Sequence, residues 1–141
     1  MKRLTAITLF CLLFFSAFVA GKGSPEAPGY PDSLRSVWLY TEGIKQNVIP
    51  GDTARARELF REAILNDSTY APAYYELAGS ILESSPGEAV ELARRAFRLD
   101  TANKWYHQFY GQALIMSNQL DAALKVYRRL LENDPKDPDP Y

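Results

Sequence analysis

The chain carries few groups that could do chemistry. Its one histidine, His107, and its one cysteine, Cys11, are too few soft ligands for a zinc or iron–sulfur site. No serine or cysteine stands in a nucleophile motif, and no pair of carboxylates is set apart from a solvated helix face. Arginines occur in groups. Arg55, Arg57 and Arg61 alternate with Glu58 and Glu62, which reads as surface ion pairs of small individual value. Arg94, Arg95 and Arg98, or Arg128 and Arg129, could form a basic patch, although a solvated face is the better reading. The 16 Lys and Arg are balanced by 17 Asp and Glu, so the basic surface that nucleic-acid binding needs is missing. The expectation is a protein without catalytic residues, metal or cofactor, and with no nucleic-acid partner.

Function must then lie in what the folded elements display. The N-terminus comes first, because it is not part of the fold. Met1-Lys2-Arg3 is a basic start, and Leu4 to Ala20 runs 17 residues without a charge before Gly21, Lys22, Gly23 and Ser24. This is the pattern of a secretory signal peptide, assigned to residues 1–21 with cleavage after Ala20 or Gly21. The run also reaches the lower limit of a bilayer span, about 17 residues, so an uncleaved anchor is the alternative and the only expected membrane contact. Cys11 lies inside the run after Phe10, which favours one more hydrophobe over a lipidated cysteine. Export would place the protein in the periplasm, cell envelope or medium. Residues 22–33, rich in Gly and Pro, read as a flexible leader.

From Leu34 the composition becomes helical and repeats itself. Three stretches end alike, in Asn66-Asp67, Leu99-Asp100 and Asn133-Asp134, with Asp67 to Asp100 spanning 33 residues and Asp100 to Asp134 spanning 34. Ala56, Ala89 and Ala123 keep these intervals, as do Phe60, Ala93 and Tyr127. Tyr74, Leu77, Ala78 and Ile81 recur 33 residues later as His107, Tyr110, Gly111 and Leu114. Small residues at Ala78 and Gly111 would let two helices approach closely while larger neighbours fill the space on either side. Ser85-Pro86-Gly87-Glu88 reads as a capping box with proline at the first helical position. Asp52 can cap the helix that follows it, and Asn118 tolerates a left-handed turn.

A helix–turn–helix unit of about 34 residues carrying these residues resembles the tetratricopeptide repeat (TPR) family. The third unit carries His107, Tyr110-Gly111, Leu114, Ala123, Tyr127, Leu130 and Pro135; the second carries Tyr74, Leu77-Ala78, Ile81, Ala89, Ala93, Ala96 and Thr101. The first matches in its second helix, through Ala56, Phe60 and Ala63. Its first helix keeps Gly43 but has Glu42 and Gln46 where apolar residues are usual. The resemblance implies an all-α, right-handed α-solenoid over residues 34–137, with units at about 34–68, 69–101 and 102–135. Residues 138–141 would start an incomplete further repeat, with Tyr141 at the phase of Tyr74. His107 would be a bulky packing residue between helices.

The resemblance further implies a concave groove lined by first helices that binds a peptide or a partner helix. At the family's groove positions stand Tyr40, Ile44, Tyr75, Glu76, Gly79, Trp105, Gln108 and Gln112. Tyrosine and tryptophan offer large contact area at low entropic cost; the competing reading packs Tyr75 and Trp105 between helices. Tyr75, Gly79, Gln108 and Gln112 do not form the basic clamp with which some family members hold a carboxylate. The expected function is a non-enzymatic scaffold or adaptor of the bacterial cell envelope with a protein or peptide partner. The alternatives are the N-terminal portion of a larger enzyme or secretion machine, or a self-assembling unit forming homo-oligomers through an uncapped last helix.

Overall fold

The computed structural model describes Gly29 and residues 31–49 and 51–133. The expected signal segment, most of the expected leader, Pro135 and Tyr141 lie outside the described residues. Six helices follow in order: α1 (Asp32–Val48), α2 (Thr53–Asn66), α3 (Ala71–Ile81), α4 (Pro86–Leu99), α5 (Lys104–Met116) and α6 (Leu120–Asn133). There is no strand among the described residues. Each helix packs on the one before it, so the pairs α1–α2, α3–α4 and α5–α6 stack in sequence. The protein is an all-α helical solenoid.

Turn chemistry sets the helix starts. Asp52 accepts a hydrogen bond from the Arg55 amide at 3.0 Å, and Asn103 accepts one from Trp105 at 3.1 Å; such caps satisfy amides that a first turn leaves open. Helix α4 begins at Pro86 as the sequence implies, but Ser85 makes no side-chain cap. The capping box is not formed, since the Ser85 amide donates to the Ile81 carbonyl at 2.7 Å, and proline at the first helical position, which needs no amide partner there, accounts for the boundary. Gly51 and Asn118 take the left-handed conformation, with φ of 67° and 62°. Helix α1 begins at Asp32, two residues ahead of Leu34.

The seam depends on two glycines about two units apart in phase. A Cβ on Gly43 would lie 2.6 Å from Cε1 of Phe60, and one on Gly111 would lie 2.6 Å from Cζ of Tyr127. In both hairpins an aromatic ring of the second helix therefore rests on bare backbone of the first. The middle unit has Ala78 and Ala93, both buried, in these places. Phe60 and Leu59 are fully buried between α1, α2 and α3, and Leu114 plays the same part between α4, α5 and α6.

The polar residues of α1 that depart from the repeat satisfy one another. Glu42 accepts from Gln46 at 2.8 Å and pairs with Lys45 at 3.2 Å. Arg55 pairs with Glu58 at 2.6 Å, as expected for a surface helix. Arg57 does otherwise: its guanidinium donates to the Ser80 carbonyl on α3 and ties two units together. A ladder of surface ion pairs is therefore not what Arg57 belongs to, because its stem points into the junction between hairpins.

Candidate functional site: the first-helix face

Helices α1, α3 and α5 are the first helices of the three pairs. On their shared side the structure gathers an aromatic cluster. Tyr40 on α1 meets Tyr70, just before α3, edge to face at 5.6 Å, and lies 6.1 Å from Phe60. Tyr75 on α3 contacts Tyr106 at 5.3 Å and Phe109 at 4.9 Å, both on α5. Offset and edge-to-face contacts of this kind stabilise beyond the area they bury. Tyr75 is half-buried, so it both packs between helices and shows an edge to solvent.

Glu76 sits among these rings. Burial pushes its carboxyl above the ordinary range, and its charge raises the phenols of Tyr40, Tyr75 and Tyr106. For all three tyrosines burial is the larger cause; Tyr40 is pushed up to about 12. Tyr70 is raised too, by burial first and then by Asp67. No hydrogen bond or ion pair reaches the Glu76 carboxylate among the described residues. A half-buried carboxylate loses water without gaining a partner, which costs free energy.

The remaining residues expected in the groove divide. Trp105 is 63% exposed, with the Lys104 ammonium 5.7 Å from its ring centroid. Gln112 and Gly79 are exposed, and Phe109 passes within 3.9 Å of where a Gly79 Cβ would stand. Gln108 is half-buried, and its carbonyl accepts a hydrogen bond from the Tyr127 hydroxyl at 3.3 Å. Ile44 turns inward and packs on the cluster of Ala56, Phe60 and Leu77, which leaves it less surface to offer. Tyr70, Tyr106 and Phe109 were not anticipated. Tyr106 does carry a signal: it stands 33 residues after Ala73, a large residue where the preceding unit has a small one.

His107 is buried, donates from Nε2 to the Thr101 carbonyl at 2.8 Å and meets Phe97 edge to face at 4.4 Å. It is a packing residue between α4 and α5. Among the described residues no group of His, Cys, Asp or Glu is placed to hold a metal ion, and no helix is long and apolar enough to cross a membrane.

Residues 80–141 match the tetratricopeptide repeat family. Over these residues the chain is similar to tetratricopeptide-repeat proteins. Its matched part begins in the last turn of α3 and runs through α4, α5 and α6, the hairpins with the most regular phases. The two helices that precede it stack in the same order and repeat the glycine–aromatic seam, so the repeat geometry extends over all the described helices. No curated protein matches the chain. Repeats of this family act as protein–protein interaction scaffolds, and the first-helix face of this chain exposes aromatic area at Trp105.

Proposed function

We propose that the protein is an exported adaptor of the bacterial cell envelope whose first-helix face binds a segment of a partner protein that presents a basic residue to Glu76. The observation that carries this reading is the unpartnered, half-buried carboxylate of Glu76 within the rings of Tyr40, Tyr75 and Tyr106. A lysine or arginine from a partner would neutralise that carboxylate where little water competes, and the adjoining rings favour a cation over their faces. Tyr75 and Trp105 supply area for the flanking residues. Export is supported by the basic start and uncharged run of residues 1–20.

The test is affinity capture from envelope extract with the mature protein beside a Tyr75→Ala/Trp105→Ala double variant. The captured partner is expected to be lost from the variant; equal capture by both would remove the first-helix face from the account.

A second reading rests on α6. Leu120, Leu124 and Leu131 are exposed along this helix, with Ile115 and Met116 close by in sequence on α5. Exposed leucines on one helix mark a surface suited to association, here with a second copy. Light scattering is expected to find dimers or larger species, and a monomer at high concentration would end this reading.

A further inference from the structure

The second helices α4 and α6 carry a local cluster of cations. A cavity of about 300 Å³ opens between α4 and α6, floored by α5. That is the lower end of the range of about 300–1,000 Å³ typical of small-molecule sites. Arg94 and Arg98 reach it from α4, and Lys125 and Arg129 from α6. None of its lining residues is acidic. Arg94 is paired with Glu91. Arg98, Lys125 and Arg129 take part in no ion pair among the described residues.

This arrangement opposes helix stability. Arg94 and Arg98 are four residues apart on one helix, and Lys125 and Arg129 four apart on the facing one; like charges at that spacing repel. Bringing both pairs around one cavity adds repulsion between helices. The other lining groups are apolar or aromatic: Phe97 stacks on Tyr110 at 5.7 Å, and Ala122 and Val126 complete the wall. His107 also lines it. This residue is 5% exposed, its Nε2 is used by Thr101, and its buried Nδ1 has no hydrogen-bond partner.

We propose that this cavity binds a phosphate monoester carried on an aromatic or apolar body. Three cations without an ion-pair partner among the described residues exceed what a single carboxylate neutralises, whereas a phosphate monoester brings between one and two negative charges and three acceptor oxygens at neutral pH. Arginine meets such a group through paired N–H donors. The monoanionic form also carries an O–H, and the buried Nδ1 of His107 is a side-chain acceptor without a hydrogen-bond partner among the described wall residues. The Phe97–Tyr110 stack takes the body of the ligand. The site is independent of the first-helix face.

Calorimetric titration of the mature protein with phenyl phosphate tests the proposal. Saturable binding is expected, weakened about tenfold or more in Arg98→Ala/Arg129→Ala, since each lost charge-assisted hydrogen bond contributes on that scale. Arg95→Ala/Arg128→Ala removes the same charge from exposed positions off the cavity and is expected to change affinity by less than about twofold, as screened surface charges do. Tyr75→Ala/Trp105→Ala should bind phenyl phosphate like the parent, which keeps this result separate from that of the first-helix face. Absence of saturable binding, or equal loss in the two arginine variants, would overturn the proposal. A third arm uses phosphatidylcholine vesicles with and without phosphatidic acid. Binding only to vesicles containing phosphatidic acid, with none to phenyl phosphate, would reassign the cations to a lipid surface and reject the small-molecule site.

Discussion

The two faces of this array are built from the same hairpins yet hold opposite chemistry. The first-helix face has one isolated carboxylate, Glu76, in a field of tyrosines; the second-helix face has Arg94, Arg98, Lys125 and Arg129 around a cavity walled by Phe97 and Tyr110. Near-neutral net charge therefore hides a local concentration of cations around that cavity. The seam between them is uncharged and fixed by close approach: Phe60 on Gly43, Tyr127 on Gly111. Stability is placed in the seam, and unsatisfied charge is left at the surfaces where partners can reach it. An unpartnered charge costs the folded protein something, and both faces accept that cost.

Breaking the seam should abolish both faces together. Phe60→Ala removes a fully buried ring and is expected to destabilise by about 3–5 kcal/mol, a large share of the roughly 5–15 kcal/mol that holds a typical domain. Urea unfolding checks it. Gly111→Ala places a methyl where Tyr127 now rests; it should cost about 1–3 kcal/mol from overpacking, reduced by the helix preference of alanine of up to about 1 kcal/mol. The same substitution at Gly43 should behave alike. If either variant is more stable than the parent in the same assay, the close approach is not what sets the seam.

Smaller effects sharpen the contrast between faces. Because burial raises the Glu76 carboxyl, the folded state holds that proton more firmly than the unfolded one. The group's contribution is therefore fully present below its unfolded value and lost as pH rises through its folded value. Glu76→Gln should melt above the parent at pH 7, with the difference closing below about pH 4; thermal scans across that window measure it. A parent more stable than the variant at pH 7 would show that a cation already satisfies Glu76.

The tyrosines respond at the other end of the scale. Tyr40, Tyr70, Tyr75 and Tyr106 are all raised, Tyr40 to about 12. Their contribution to stability should be intact below about pH 10 and lost as pH climbs through the folded values. Tyr40→Phe should delete one of the raised steps of the tyrosinate absorbance titration with little change in fold. The arginine variants of the second-helix face should leave that titration unaltered.

Much of the fold was legible because one helical phase recurs. Ala56, Ala89 and Ala123, and Phe60, Ala93 and Tyr127, mark the second helices by spacing alone, and Gly43 and Gly111 mark where they approach the first. Periodicity gives phase along a helix, and the resemblance to the repeat family is what assigned Tyr75, Glu76 and Trp105 to one face. It does not give the side chain that a neighbouring unit offers. Hence Tyr106 and Phe109 against Tyr75 were not foreseen, nor Arg57 reaching Ser80. The cation cavity was half legible for the same reason: Arg94 and Arg98 read as one helix's patch, while Lys125 and Arg129 join them only when α4 and α6 lie side by side over α5. Ile44 shows the converse, with a groove phase but an inward packing role set by Phe60.

The central claim is that the first-helix face selects a basic segment through Glu76 and its tyrosines. Selection from a random peptide library on the immobilised protein tests it most directly. The account predicts enrichment of Lys- or Arg-bearing peptides whose binding is lost in Glu76→Gln and in Tyr75→Ala/Trp105→Ala and kept in Arg98→Ala/Arg129→Ala. Enrichment of acidic peptides, or binding that survives both first-helix variants, would contradict it.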